Sequence, residues 1–128
     1  APEWNGEFSF GGLNIFGNVF IGSYMATAAR FIVVKPYGPG HYLNGFSMNS
    51  NSFRVFNGSI DRVDMVDTTF ATLDFSQTRN VRVEGNSFVN EGGAATFVRN
   101  HSSAPAILRG NRLPNRGVTP LRGPGSVD

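Results

Sequence analysis

The chain contains no cysteine, a single lysine (Lys35) and only six leucines among its 128 residues. Without Cys there is no disulfide scaffold and no thiolate-ligated metal site. Helical proteins lean on Ala, Leu, Glu and Lys, so a helical fold is not expected. Charged residues are just 16% of the chain, and the net charge is +2. That balance is too small to announce a nucleic-acid partner. No RNP-like or helix-turn-helix signature occurs, and the arginines are not interleaved with stacking aromatics, so no nucleic acid is expected. The longest apolar stretch, Phe31 to Val34, is far below the roughly 18 residues that insert as a helix, so no membrane insertion is expected. No signal peptide is visible, and the chain opens at Ala1 rather than Met. A processed product or an excised piece is therefore expected.

What is abundant is 16 Gly, 13 Asn and 12 Phe, a strand-and-turn composition. The length suits one domain, able to hide roughly two-thirds of its unfolded surface. Five segments share one pattern: apolar, any, apolar, any, small, Asn, any, Phe. They run Leu13–Phe20, Phe46–Phe53, Val63–Phe70, Val81–Phe88 and Ala106–Leu113. The third has Thr68 in place of Asn and the fifth Leu113 in place of Phe. Each reads as a short alternating strand, a sharp turn and a further inward residue. The small residue ahead of Asn (Gly17, Ser50, Gly85, Gly110) suits a left-handed backbone position. The Asn/Thr positions are 33, 17, 18 and 25 residues apart. A fixed motif at a variable interval predicts constant strands joined by elastic arcs, stacked so that like positions form columns. One column is then a stack of Phe20, Phe53, Phe70, Phe88 and Leu113, and another a ladder of Asn18, Asn51, Thr68, Asn86 and Asn111. Further strands are expected at Arg30 to Lys35, Thr72 to Phe75 and Ala95 to Val98.

The Gly/Ser-Asn-x-Phe signature that closes a Val-x-Val strand resembles the right-handed parallel β-helix of pectate-lyase-like proteins and phage tailspikes. The resemblance covers about residues 13 to 113. It implies an all-β solenoid of about five coils, with residues 1–12 as a cap or lead-in strand and residues 114–128 as an extended Pro/Gly-rich tail. That tail, with three Pro and three Gly, is not expected to continue a strand stack. Intervals of 17 and 18 residues are short for that family and equally suit hairpin pairs, so a β-sandwich or jelly roll is the alternative. Five coils also make a short helix, which suits a fragment of a longer spike or a domain completed by its partners.

In the resembled family, saccharide chains lie along the outer faces. The expected outer columns are Asn14, Ser47, Asp64, Arg82, Ile107 and Phe16, Asn49, Val66, Glu84, Arg109. A glycosidase needs two carboxylates about 5–10 Å apart, and Asp61, Asp64 and Asp67 are the densest acidic cluster. The odd spacing of Asp64 and Asp67 puts them on opposite sides of a strand, and Asp67 stands where other segments carry Gly or Ser. A surface or turn role is the plainer reading. A lyase of this architecture uses Arg or Lys as base beside carboxylates that hold Ca²⁺, which would draw on Arg62, Arg82 and Asp64. Too few oxygen ligands share one face for such a metal site, and a surface ion-pair group of Arg82, Glu84 and Arg109 is simpler. His41 and His101 fall in loops, without a nucleophile elbow or metal spacing. No metal or cofactor is expected.

Aromatics outside the inward columns are the better lead. Phe16, Tyr24, Tyr37 and Tyr42 could stack on sugar rings, with Asn49 and its neighbours bonding hydroxyls, or could pack under loops. Residues 61–74 hold four Asp and one Arg, whereas 92–127 hold five Arg and no acid, a polarity that suits docking onto an acidic partner or glycan. The leading expectation is a non-catalytic spike or adhesin module that binds surface polysaccharide, as a homotrimer or part of a larger spike, extracellular or on a virion. The alternatives are a polysaccharide lyase or glycoside hydrolase fragment acting on an acidic glycan, and a purely structural trimerisation segment.

Overall fold

The computed structural model describes residues 8–23, 30–34, 41–58, 63–68, 77–92 and 95–128. All regular structure among them is β, in three open sheets. A six-stranded sheet holds β1 (Phe8–Phe10), β2 (Leu13–Phe16), β5 (His41–Asn49), β8 (Gln77–Glu84), β11 (Ala106–Arg109) and β13 (Gly125–Val127). A three-stranded sheet holds β3 (Val19–Ser23), β6 (Ser52–Gly58) and β9 (Ser87–Gly92). A four-stranded sheet holds β4 (Arg30–Val34), β7 (Val63–Thr68), β10 (Ala95–Asn100) and β12 (Val118–Arg122).

Every pairing between these strands is parallel. A jelly roll or other sandwich would pair its neighbours antiparallel, so that alternative fails. From β2 onward the chain visits the six-, three- and four-stranded sheets in a fixed rotation, and each strand pairs with the strand one rotation later. In the last rotation the three-stranded sheet receives only a bridge from Arg112 to Ser87.

The alternation along the strands builds the core. Phe46 and Met48 on β5, Val81 and Val83 on β8, and Ala106 and Leu108 on β11 are all buried, while the residues between them are at least partly exposed. Phe20, Phe53 and Phe88 stand in one register column, β3 to β6 to β9. The Phe20 and Phe53 rings stack at 4.7 Å with 11° between their planes. Phe97 of β10 meets Phe53 edge-on at 5.6 Å and Phe88 at 6.0 Å, which ties the four-stranded sheet to this column. Leu113 packs against the same core, and Phe70 lies outside the described residues.

The corner between the six- and three-stranded sheets is made by the Asn motif. Gly17, Ser50, Gly85 and Gly110 all have positive φ, between 57° and 70°, a region that residues with a side chain rarely adopt. The next residue is Asn each time. Asn18, Asn51 and Asn86 each donate their side-chain Nδ2 to the Oδ1 of the following rung, at 3.2, 3.0 and 3.0 Å. Their backbone N–H groups donate to the same Oδ1 atoms at 2.9, 2.8 and 2.9 Å. The ladder ends at Asn111, whose Nδ2 donates to the Val83 carbonyl at 2.9 Å.

Thr68 does not belong to this ladder. Its strand, β7, pairs with β4 and β10 in the four-stranded sheet, and its Oγ1 donates to Asn100 Oδ1 at 2.7 Å. The third segment has the period of the others but no Gly or Ser to turn the chain left-handed at Asp67. The true rung intervals are therefore 33, 35 and 25 residues, and four segments, not five, share the columns.

The stretch 114–128 also departs from expectation, because it supplies β12 and β13, paired with β10 and β11. Pro120 is tolerated because β12 is a sheet edge, where a missing N–H costs no ladder bond. Gly123 lets the chain turn between these strands. It has φ 106°, and a Cβ there would sit 2.0 Å from the Asn100 carbonyl oxygen. The Gly content of this stretch reflects close backbone approach, not loss of order.

Candidate functional site

The outer side of the six-stranded sheet presents residues that alternate with the buried Phe46, Met48, Val81, Val83, Ala106 and Leu108. Register places Asn14, Ser47, Arg82, Ile107 and Ser126 in one row. A second row holds Phe16, Asn49, Glu84 and Arg109. Both rows match expectation except in the third segment. Asp64 and Val66 are not in them, because β7 lies in the other sheet, and Val66 is fully buried.

A shallow depression of about 500 Å³ lies along these rows, lined by Ser47, Asn49, Ser50, Arg82, Glu84, Gly85, Arg109 and Gly110. Arg82 Nη1 is 3.6 Å from Glu84 Oε1, and Arg109 Nε is 3.5 Å from Asp128 Oδ2. Both pairs are open to solvent, so they contribute little to stability. Their effect is to cancel charge locally and to leave oriented polar groups on a rigid sheet. Asn49 Nδ2 donates to Ser47 Oγ at 3.0 Å, which fixes the amide's direction. Phe16, at the β2 end of the second row, is 65% exposed, an aromatic ring left open on this face.

A second cleft of about 460 Å³ adjoins the first through Arg82, lined also by Asn44, Arg79, Asn80, Val81, Ser103, Ala104, Pro105 and Ile107. Asn80, at φ 53°, donates its amide to Asn44 Oδ1. Beside it the Arg79 guanidinium sits 3.5 Å over the Tyr42 ring, so one face of that half-buried ring is covered.

Comparison with protein-family models, curated proteins and solved structures finds no match to this chain. The resemblance to parallel β-helix proteins therefore rests on the chain's own residues.

Of the acid–base set weighed in the sequence, Asp64 and Asp67 stand on a different sheet from Arg82. Asp64 and Asp67 lie on β7, where Asp64 pairs in register with Arg30 and Thr96, and Asp67 with Val33 and Arg99. Arg82 is on the six-stranded sheet. Asp61, Arg62, Tyr24 and Tyr37 lie outside the described residues. Among the described residues the depression has one carboxylate in its lining, Glu84, beside Arg82. Among the described residues no three His, Cys, Asp or Glu gather in a way that could hold a metal ion. His101 donates its backbone N–H to the Thr68 carbonyl at 3.0 Å, in the corner that follows β10.

Sequence reasoning missed the Arg79–Tyr42 stack and the Asn44–Asn80 bond. Both were within reach of register arithmetic. Asn44 and Arg79 each stand two residues ahead of the aligned pair Phe46 and Val81, so a 35-residue offset would have brought the second cleft together.

Proposed function

We propose that the chain is a right-handed parallel β-helix module of about four turns that binds surface polysaccharide without cleaving it. The fixed rotation among three parallel sheets supports the solenoid. Its hand follows from the rule that about 98% of crossovers between parallel strands are right-handed. The observation that carries the binding reading is the pair of outward rows on the six-stranded sheet. They form a long, flat, polar surface with an exposed aromatic at one end. An extended chain of sugar rings matches that shape, and Ser47, Asn49, Arg82, Glu84 and Arg109 supply donors and acceptors for hydroxyls.

The separation of Asp64 and Asp67 from Arg82 disfavours the lyase or glycoside hydrolase alternative, which draws on those residues as one site. Location outside the cell or on a virion surface, within a trimeric fibre, belongs to the same proposal. Exposed Leu13, Val19 and Ile21, near the first turn, support contact with further copies of the chain and favour the structural trimerisation segment as second reading.

A glycan array probed with the native chain, followed by product analysis on the glycans retained, separates these readings. Saturable binding without new reducing ends or unsaturated products is expected, weakened about tenfold or more in Asn49→Ala/Arg109→Ala, which removes two polar anchors. Binding to no glycan, with a trimer seen by light scattering, would leave the structural reading. Release of shorter products would restore the enzyme.

A further inference from the structure

The two ends of the Asn ladder are unlike. In its interior each rung bonds both the rung and the strand before it. Oδ1 of Asn51, Asn86 and Asn111 accepts from the backbone N–H and the Nδ2 of the preceding Asn. Nδ2 of the same residues donates to a carbonyl of the preceding strand, that of Ile15, Met48 or Val83, at 2.9, 3.0 and 2.9 Å. Each of these carbonyls lies three residues ahead of the preceding Asn. Asn18 is the exposed first rung. Its Oδ1 accepts no hydrogen bond among the described residues. Its Nδ2 turns back instead to the carbonyl of its own neighbour Phe16, at 3.2 Å.

The strands around Asn18 are open in the same direction. Among the described residues β2, β3 and β4 each pair on one side only. β2 reads Leu-Asn-Ile-Phe and β3 Val-Phe-Ile-Gly-Ser. Neither carries a charge or a proline, the devices that keep a sheet edge from pairing. The inward columns are unfinished as well. Leu13 stands in the column of Phe46 and is 45% exposed, whereas Phe46 is fully buried. Phe20 is only half-buried, whereas Phe53 and Phe88 below it are sealed.

We infer that this end is a docking edge for a strand of another polypeptide, laid parallel to β2 and β3 and carrying the same small-Asn-x-Phe turn. The incoming Asn donates its N–H and Nδ2 to Asn18 Oδ1. The carbonyl three residues ahead of it takes Asn18 Nδ2 from Phe16, as at every later rung. Main-chain bonds to the open edges supply affinity, and alternate side chains over Leu13, Ile15 and Phe20 supply selectivity. The polarity of the ladder fixes the direction of the strand. A symmetric pair of copies meeting at this end would set its edge strands antiparallel and Asn18 against Asn18, which does not reproduce the rung. The inference rests on the ladder and the strand pairing, independently of the proposed glycan face.

The probe is a synthetic peptide of residues 81–91, which carries Val81, Val83, Asn86 and Phe88 at the spacing of the motif. In amide-resolved NMR the native chain should show saturable shifts at Leu13–Phe16 and Val19–Ser23, with slowed hydrogen exchange at the edge amides. The affinity should fall about tenfold or more in the Asn18→Ala chain, which loses the acceptor at an exposed position. It should fall as far for an Asn86→Asp peptide, which loses the Nδ2 donor and sets a carboxylate against Asn18 Oδ1. The proposal is overturned if the shifts fail to saturate, if they fall on β12 and β13 instead, if a scrambled peptide binds equally well, or if neither substitution weakens binding. Self-association of the chain alone that Asn18→Ala abolishes, read by light scattering, would give the edge to a second copy and overturn it too. The probe contains no sugar, so these outcomes are separate from those of the glycan array.

Discussion

Replacing Asn86 by Ala tests the amide ladder where it is most buried. The Asn86 side chain makes four hydrogen bonds. Its Oδ1 accepts from the Asn51 N–H at 2.8 Å and from Asn51 Nδ2 at 3.0 Å. Its Nδ2 donates to the Met48 carbonyl and to Asn111 Oδ1, both at 3.0 Å. Truncation removes all four and strands the buried Asn51 N–H, and an orphaned buried donor costs about 1–3 kcal/mol. Asn51 Nδ2 keeps the Ile15 carbonyl at 2.9 Å, and Asn111 Oδ1 keeps the Asn86 N–H at 2.9 Å. The remaining losses therefore fall near the low end of about 0.5–1.5 kcal/mol each. The total is about 3–5 kcal/mol, a large share of the 5–15 kcal/mol or so that holds a domain together. Asn18→Ala is the internal control. Asn18 is exposed, water replaces its lost partners, and the cost is below about 1 kcal/mol. Asn86→Asp keeps the acceptor, loses both donors and sets a carboxylate against Asn111 Oδ1, so it does not rescue. Urea unfolding at constant m-value measures the difference. If Asn86→Ala costs within about 1 kcal/mol of Asn18→Ala, the ladder is decoration and the reasoning is wrong.

Three further outcomes follow from the same contacts. Phe88→Ala, at a fully buried position, should cost about 3–5 kcal/mol in urea unfolding, whereas Phe16→Ala, mostly exposed, should stay within about 0.5 kcal/mol. Ser50→Gly relieves a non-glycine residue at φ 57° and should stabilise by about 1 kcal/mol, seen as a higher urea midpoint. Gly123→Ala drives a methyl into the Asn100 carbonyl and should cost about 3 kcal/mol; hydrogen exchange should then show β12 and β13 losing protection while β5 and β8 keep theirs.

The columns were legible because stacking repeats the same environment. Gly17, Gly85 and Gly110 precede Asn for a backbone reason, and Phe20, Phe53 and Phe88 follow two residues after it for a packing reason. Period-2 alternation alone was not enough, because it says which face of a strand is buried and nothing about which sheet the strand joins. Val63–Phe70 shows the consequence. It copies the motif's hydrophobic pattern, yet it has no small residue before Thr68, and its Val63–Thr68 forms a strand of the four-stranded sheet. That one displacement put Asp64 and Asp67 on a different sheet from Arg82. The stretch 114–128 was misread for a related reason. Its Pro and Gly content is that of a flexible tail, but edge pairing and a tight corner tolerate or demand the same residues.

By itself the sequence determined the all-β character, the Asn and Phe columns and the outward position of Ser47, Asn49, Arg82, Glu84 and Arg109, because these depend on local backbone bias and alternation. Tertiary structure alone decided that Thr68 bonds Asn100, that Arg79 covers Tyr42 and that Arg99 stands beside Arg122. Those neighbours are 23 to 37 residues apart, and only the register between separately visited sheets brings them within reach.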